Sequence, residues 1–554
     1  MQPLAEEIIA RRVSLDGAAD QGHPSASTLE RLHRELLSRW PEWAALSAFA
    51  ALVAWAIPAH APGADEAQAW QLARTLSLPS LFQTYIRYEG TPGLWHFLLW
   101  IMNRAHVSYS GLHWICGAIA VASTALLMLS SPFPRYLKLL LPFTCFLLFQ
   151  YAVVARSYVL VPLLLFGIAS RWKNSPMGIA LLLGLLANLS LHAAVISGGL
   201  AIVYALEQIR GGCLKRPAWL RQLVASTILL LALYGFALWT AWPPHDLQQH
   251  VAYLRKDSGS LITNAIGSIV LGICQPWLLA IPFWFAIALC LHRRRSLFYL
   301  LPILFFALFC GVVRPNWWHV GLPIPVLICV LWITWPNPEF RVSRIEHSAR
   351  AAFALVCGMQ ILWAGHALIY DHSNPYSPDA ATAEFLKPFV SEGATIAVTY
   401  VNDPGIHAFI SVGLLPYFDH NIFANLPYPF WWWSDNNPSE EQFNALLPTH
   451  PRIVIAEYRP PHAGEAPDLT QPKFQFLVKS GYRLSNVFCG SMPRFMELDM
   501  TVCHLVYQYS GPPASAPANS NHMSLMTAPA QDRWPLSSRH DNLFPGEWQG
   551  GRDS

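Results

Sequence analysis

Acidic side chains are scarce in the apolar part of this sequence, and acid–base chemistry there would have to use one of them. Eight fall between Trp43 and Tyr370, and they are Asp65, Glu66, Glu89, Glu207, Asp246, Asp257, Glu339 and Glu346. Three of the eight lie in the single stretch 61–92. A positioned carboxylate can take a proton from a reacting hydroxyl group. Loop 61–92 is therefore the first place to look for a general base.

Two neighbouring acids in this loop open a predicted helix. Asp65 and Glu66 follow the turn Pro62–Gly63, and apolar residues at helical spacing continue to Leu76. In one interpretation both carboxylates complement the helix dipole, which is worth about 0.3–1 kcal/mol each. In the other, one of them faces a cavity as a general base. Adjacent helical residues point about 100° apart, so both cannot face one cavity. The pattern leaves the two interpretations open, and Asp65 and Glu66 are both candidate catalytic residues.

A second set of candidates is basic or aromatic. Arg156 stands between two apolar runs with no acid nearby in the sequence, and Tyr158 follows it. Such an arginine can extend its charged end to water as an anchor, or its planar guanidinium can hold a phosphate through two parallel hydrogen bonds. His192 lies at the join of two apolar runs, and the stretch RPNWWH contributes Arg314 and His319. These three also have ordinary interpretations, as packing or interface residues.

Composition indicates which class of protein must position these groups. Hydrophobic residues make up 53% of the 554 residues and charged residues only 12%, about half the usual share of a soluble protein. Trp (23) and Pro (44) are numerous, as expected where aromatic belts and interrupted helices meet a bilayer. The net charge of +3, without a dense basic run, argues against a nucleic-acid partner. The sequence predicts a polytopic helical membrane protein, with the lipid bilayer as a partner.

The apolar runs predict about eleven helical spans. They lie near 43–60, 112–129, 138–154, 157–171, 177–190, 192–206, 219–242, 265–291, 297–313, 318–335 and 350–369. Basic clusters fall in alternate connections, and placing these in the cytoplasm gives a path that starts inside and ends outside. On this path residues 1–42 form a cytoplasmic segment without a signal peptide. The run Gly93–Met102 is about half a span long, and we predict a helix in the outer interface.

After the membrane domain, 43–370, short β-rich runs replace the apolar ones. Candidate strands are Thr395–Tyr400, Arg452–Tyr458 and Thr501–Tyr509, with a helical stretch near Phe474–Lys479. Residues 371–510 are therefore predicted to form a small extracytoplasmic α/β domain. Pro, Ser, Ala, Asn and Gly dominate residues 511–554, which predicts a disordered tail.

The ten cysteines indicate neither a metal site nor a redox motif. None forms a CxxC pair, and most lie in apolar runs, where cysteine behaves as a small apolar side chain. Only Cys489 and Cys503 follow the last predicted span, in neighbouring β-like runs. In an oxidising compartment they are predicted to form a disulfide; the alternative is a pair of free thiols in the domain core. No cofactor is indicated.

Together these features resemble the C-type superfamily of membrane glycosyltransferases, the GT-C fold. That superfamily includes the protein O-mannosyltransferases and the lipid A aminoarabinose transferase. The points of resemblance are the acidic pair Asp65–Glu66 after the first span, the proline-containing stretch GTPGLWHFLLW, the pair Arg156 and Tyr158, and the C-terminal domain. The resemblance covers roughly residues 40–370. Where the family often has His-Pro-Pro, this chain has only one proline, and His96 follows one helical turn later.

The resemblance implies a donor and a role for each candidate. In the family, the acid of the first loop acts on the acceptor, and basic residues hold the phosphate of a polyprenyl-phosphate sugar. By this likeness Asp65 is the base and Arg156 the phosphate ligand. The other residues assigned to substrate binding are Tyr158, His192, Glu89, Arg87, Arg314 and His319. Some relatives use a divalent metal, but no ligand cluster in this sequence indicates one.

Other functions would also suit a chain with many spans. A transporter or flippase is one, although the sequence has no inverted repeat and no acid in mid-span. A ligase or polymerase of surface polysaccharide would use the same class of lipid, and a non-catalytic assembly partner is a third alternative. The resemblance implies a glycosyltransferase of the bacterial inner membrane that uses a polyprenyl-phosphate sugar, and the sequence has no Gly-rich loop for a nucleotide sugar. The sequence leaves the acceptor open.

Overall fold

The computed structural model describes residues 38–212, 217–247, 258–274, 277–313, 315–336, 343–401, 410–432, 440–495 and 497–511. The described chain is helical as far as Ser391 and then forms a four-stranded sheet with further helices. This confirms the predicted fold class, a helical membrane domain followed by a small α/β domain. Arg314, residues 1–37 of the N-terminal segment and the predicted tail from residue 512 onward lie outside the described residues.

The membrane domain is built from helices joined by short connections. They are α1 (Trp40–Ala56), α2 (Ala64–Thr75), α3 (Leu78–Gln83), α4 (Leu94–Arg104), α5 (Tyr109–Ser130), α6 (Arg135–Leu140), α7 (Leu160–Arg171), α8 (Pro176–Ala187), α9 (Leu191–Arg210), α10 (Pro217–Ala241), α11 (Ser258–Val270), α12 (Ala280–Arg293), α13 (Leu301–Val312), α14 (Trp317–Val320), α15 (Pro323–Ile333) and α16 (Arg344–Ser373). The predicted interfacial helix at Gly93–Met102 corresponds to α4, which packs against α2. Its depth in the membrane stays a prediction.

Among the described residues, α5, α9, α10 and α16 are long and apolar enough to cross a membrane. Other apolar helices are shorter, at 10–17 residues. Helix α16 carries a stripe of apolar side chains at seven-residue spacing, where Leu355, Leu362 and Ile369 are 72%, 69% and 65% exposed. Such a stripe is unfavourable in water and is satisfied by lipid. The protein is therefore an integral membrane protein.

One predicted span, 138–154, is not a regular helix, so that prediction is wrong. Helix α6 ends at Leu140, and the chain continues as a 3-10 turn (Leu141–Phe143) and a π-helical turn (Phe146–Gln150). Pro142 lacks a backbone donor, which interrupts the helix. The following stretch 144–155 is entirely buried. Irregular backbone is tolerated at membrane depth where protein surrounds it, and this stretch delivers Arg156 to the interior.

The predicted span 265–291 is also wrong, because it consists of two helices, α11 and α12. Gly272 falls in the break between them. A Cβ atom at Gly272 would overlap the carbonyl oxygen of Val320 in α14. The backbone can therefore approach α14 only because this residue is glycine. The total number of spans and the orientation of the chain stay predictions.

The C-terminal domain is a mixed sheet with helices on it. Its elements are α17 (Asp379–Ser391), β1 (Ile396–Val401), a 3-10 helix (Ile410–Tyr417), α18 (Glu440–Leu446), β2 (Ile453–Tyr458), α19 (Pro472–Lys479), β3 (Tyr482–Arg494) and β4 (Glu497–Tyr509). The strand order is β1-β2-β4-β3, with β1 and β2 parallel and the other pairs antiparallel. Every residue of β2 is buried, as in a strand covered on both faces. The predicted strands and the helix near Phe474–Lys479 are confirmed.

Cys489 and Cys503 lie directly opposite each other on β3 and β4. They form a disulfide with their Cα atoms 4.1 Å apart. The predicted bridge is thereby confirmed, and the alternative of two free thiols is not. The bridge joins the two longest strands of the sheet at their middle.

Removing this bridge should destabilise the C-terminal domain without altering its fold. The double variant Cys489→Ser/Cys503→Ser is expected to lose about 3 kcal/mol of unfolding free energy, because the bridge closes a short loop in the unfolded chain. Chemical denaturation of purified protein measures this loss. Maleimide labelling of the native protein in denaturant provides the control: Cys489 and Cys503 should react only after reduction. Full labelling without reductant would contradict the bridge.

The C-terminal domain holds helix α2 of loop 61–92 in place. Helix α2 packs on one side against α4 and on another against the 3-10 helix Ile410–Tyr417. The Ser377 hydroxyl donates to the Pro62 carbonyl at 2.7 Å. The loop with the candidate acids is therefore fixed by both domains.

Candidate active site

A cavity of about 440 Å³ lies between loop 61–92, the stretch 156–158 and the N-termini of α9 and α14. Its lining brings together six of the candidates chosen from the sequence, namely Asp65, Glu89, Arg156, Tyr158, His192 and His319. Glu66 and Arg87 are not part of the lining described, and Arg87 instead donates to the Trp242 carbonyl at 3.0 Å. Gln68, His96 and Trp318 also line the cavity, although they were not among the predicted site residues. Gln68 had a local signal, since it lies three positions after Asp65 and shares its helix face.

Arg156 and Asp65, which both line the cavity, form an ion pair. Nη1 of Arg156 is 2.9 Å from Oδ2 of Asp65, and the two side chains are 21% and 39% exposed. The guanidinium also lies over the ring of Trp318, 4.1 Å from its centroid. The interpretation of Arg156 as lacking a nearby acid is therefore wrong, because tertiary structure supplies one. A guanidinium has five donors, so the contact with Asp65 does not exhaust it.

Glu66 is buried beneath the cavity and serves a different purpose from its neighbour. Its Oε1 accepts the backbone N–H of Ala155 at 2.6 Å and a hydrogen from His113 Nε2 at 3.1 Å. Its Oε2 accepts the backbone N–H of Gly63 at 2.9 Å and lies 3.3 Å from His60 Nε2. Only 3% of Glu66 is exposed. The carboxylate thus ties the start of α2 to the residue that precedes Arg156.

His60 lies between Glu66 and a second buried carboxylate. Nδ1 of His60 is 3.0 Å from Oδ2 of Asp371, so both nitrogens of His60 face carboxylates. Burial by itself would raise the pKa of Glu66, but the charge of His60 and hydrogen bonds from His113 and His60 lower it strongly. Hydrogen bonds thus occupy both oxygens of Glu66 and favour its charged form, while its predicted catalytic role stays a prediction.

Glu89 is the second carboxylate that lines the cavity. Its Oε1 accepts a hydrogen bond from Gln68 Nε2 at 2.8 Å. Burial raises the pKa of Glu89 to about 7, the Gln68 hydrogen bond opposes this rise, Asp65 adds to it and Arg156 opposes it. The two acids of the cavity therefore have different surroundings, since Asp65 is paired with an arginine and Glu89 can hold a proton near neutral pH.

Tyr158 presents a hydroxyl group to the cavity in a defined orientation. Nδ1 of His319 accepts the backbone N–H of Asn316 at 2.9 Å. The hydrogen of the neutral ring is therefore on Nε2, which donates to the Tyr158 oxygen at 2.7 Å. That leaves the hydroxyl hydrogen of Tyr158 for another acceptor. The ring of His192 stacks on that of His319, with centroids 3.7 Å apart.

Two buried histidines carry nitrogens with no partner among the described residues. They are both nitrogens of His96 and Nε2 of His192, in side chains that are 2% and 5% exposed. Buried polar atoms are nearly always hydrogen-bonded. Since both residues line the cavity, a polar ligand or water there would satisfy them. The described part of the chain holds no group of three or more His, Cys, Asp or Glu side chains arranged to bind a metal ion.

Comparison with known proteins yields one structural similarity. The chain resembles the crystal structure of ArnT from Cupriavidus metallidurans bound to undecaprenyl phosphate, with a TM-score of 0.48 and 11% sequence identity. The match covers 83% of this chain and 97% of the other. No family model and no curated protein matches the sequence. The function proposed below is therefore argued from the cavity itself.

Proposed function

We propose that this protein is a membrane glycosyltransferase that moves a sugar from a polyprenyl-phosphate donor to an acceptor on the extracytoplasmic face. The observation that carries the proposal is the Asp65–Arg156 ion pair in a cavity of a membrane domain. A donor phosphate entering this cavity competes with Asp65 for Arg156. Binding of the donor would therefore free the carboxylate that the reaction needs as a base.

The apolar side of the same cavity suits the lipid part of such a donor. It is formed by residues at the ends of α9, α10 and α13 and in the stretch that follows α10, and these are Leu191, Ala241, Leu247, Phe309 and Val313. A polyprenyl chain is a hydrocarbon, so it gains by leaving water for such a surface or for the bilayer beside it. Charged groups at one side and apolar groups at the other match an anionic lipid.

The chemistry assigns one task to each polar group. The acceptor hydroxyl attacks the anomeric carbon, a new carbon–oxygen bond forms, and the bond from that carbon to the phosphate oxygen breaks. The hydroxyl proton passes to Asp65, and the electron pair leaves with the polyprenyl phosphate. Arg156 stabilises the negative charge of the departing phosphate, and the hydroxyl group of Tyr158 can donate to the same oxygens. Attack opposite the leaving group inverts the anomeric centre.

The direct test is a transfer assay on purified protein with a panel of labelled polyprenyl-phosphate sugars. The proposal expects bond cleavage: label moves to an acceptor, and polyprenyl phosphate is released. A transporter or flippase would move the labelled lipid across a vesicle membrane with the bond intact. Flux without cleavage for every sugar tested would overturn the proposal. The proposal also places the C-terminal domain outside the cytoplasm, where disulfides persist.

The pKa of Glu89 predicts a pH dependence of donor binding. A polyprenyl-phosphate sugar is a phosphodiester with one negative charge, whereas Glu89 loses its proton near pH 7. The additional negative charge opposes the donor, so the donor KM should rise as the pH increases from about 6 to about 8. In Glu89→Gln, which stays neutral, the KM should be flat over this range. An unchanged pH slope in Glu89→Gln would rule out Glu89 as its source.

A further inference from the structure

The carboxamide of Gln68 joins the C-terminal domain to the acid at the cavity. Its Nε2 donates to the carbonyl of Trp431 at 2.6 Å, and its Oε1 accepts the backbone N–H of the same residue at 2.8 Å. The remaining hydrogen on Nε2 is directed to Oε1 of Glu89 at 2.8 Å. Gln68 is 2% exposed. An amide has two donor hydrogens, so both hydrogens are used by these contacts.

The paired bonds with Trp431 determine which way the amide faces. If the amide were flipped, its oxygen would face the Trp431 carbonyl and its NH₂ group would face the Trp431 N–H. Like groups would then oppose each other at both positions, at a cost of two buried hydrogen bonds. The backbone of Trp431 therefore holds the nitrogen of Gln68 toward Glu89.

The segment around Trp431 is firmly held. Trp431 and Phe430 are 3% and 4% exposed, and the ring of Phe430 lies edge-on to Tyr85, with centroids 5.1 Å apart. One helical turn after Gln68, Nε2 of Gln71 donates to the Pro429 carbonyl at 2.9 Å. Two glutamines on α2 thus dock on the same short segment of the C-terminal domain, and Gln68 also contacts Glu89.

We propose that Gln68 is a positioning residue through which the C-terminal domain orients the carboxyl group of Glu89 in the cavity. Because Oε1 of Glu89 is held as an acceptor, a proton on this acid resides on Oε2, the oxygen available to a ligand. This inference rests on the proposed function for its meaning in catalysis. In this arrangement the C-terminal domain acts on Glu89 through the backbone N–H and carbonyl of Trp431.

The other charged groups around Glu89 come from neighbouring elements. Asp65 on α2 and Arg156 act on it with opposite signs. Tyr88, directly before it, donates its hydroxyl hydrogen to Asp246 at 2.7 Å, in the stretch after α10. The histidines that line the same cavity are His96, His192 and His319. Substitution of Gln68 leaves all these groups in place, so its effect on Glu89 can be isolated.

The titration of Glu89 provides a measurement that would not change if Gln68 had only a structural role. The carboxyl C=O band of Glu89 is assigned by infrared difference spectroscopy, from the pH-dependent signal that disappears in Glu89→Gln. In Gln68→Met the titration should move to higher pH by about one unit, because a hydrogen bond that favours the charged form is lost. Gln71→Met is the matched control, since it removes the other glutamine contact with the segment around Trp431 and should leave the titration unchanged.

Two outcomes would overturn the inference: no movement in Gln68→Met, or an equal movement in Gln71→Met. If Gln68→Met does not fold, Gln68→Leu replaces it, because that variant also removes the donor to Glu89 without adding a charge. Failure of the proposed function is separate, because it would appear as absence of cleavage in the transfer assay while the infrared result still held.

Discussion

Replacing Asp65 with Asn should abolish sugar transfer and leave the protein folded. The Asn oxygen can still accept a hydrogen bond from Arg156, which in the native protein lies 2.9 Å from the carboxylate. An amide cannot take up the acceptor proton, and loss of a general base lowers rates by about 10²–10⁴-fold. Binding of polyprenyl phosphate should be retained, since Arg156 then has no anionic competitor.

Single-turnover transfer with labelled donor measures the rate, and quenching of tryptophan fluorescence by polyprenyl phosphate measures binding. Glu66→Gln, in contrast, should lower the stability of the protein. In the native protein the Glu66 carboxylate accepts hydrogen bonds from two histidines and two backbone N–H groups. An amide NH₂ would oppose at least one of those donors, with an expected loss of about 3–5 kcal/mol in stability. Wild-type turnover in Asp65→Asn would leave helix capping as the better account of this residue.

Replacing Arg156 should weaken donor binding in two ways, through loss of the planar guanidinium group and through loss of the positive charge. Lys keeps the charge but has neither the planar fork nor the face that lies over Trp318. The donor KM should therefore rise about tenfold for Arg156→Lys, a loss typical of a bidentate contact to phosphate. In Arg156→Ala the unpaired Asp65 carboxylate faces the donor phosphate, and activity should nearly vanish.

The control for this series is Arg135→Lys. Arg135 also forms an arginine–carboxylate pair, with its Nε 3.1 Å from Oε1 of Glu42, and it is not among the residues that line the cavity. Its donor KM should match that of the wild type. Wild-type kinetics for both Arg156 variants would identify Arg156 as an interface anchor, the alternative recognised from its position between two apolar runs.

Local patterns were enough to define the class of protein and much of its layout. Hydropathy identified the membrane domain, and alternating β-rich runs identified the strands of the C-terminal domain. The bridge between Cys489 and Cys503 followed from two cysteines in neighbouring runs. These properties depend on residues close in sequence, because helical and strand periods are short. Loop 61–92 was identified in the same way, as the place where acids concentrate.

Only the tertiary structure decided how the candidate groups are used. Asp65 faces Arg156 while Glu66 is buried against His60 and His113, and helix rotation determines which of two adjacent acids enters the cavity. Gln68 gained its role from a backbone segment far along the chain. The irregular turns before Arg156 were hidden in an apolar run that reads as a helix. Sequence patterns report which surfaces are apolar, but contacts between distant surfaces depend on packing, and packing places the Asp65 carboxylate next to the Arg156 guanidinium.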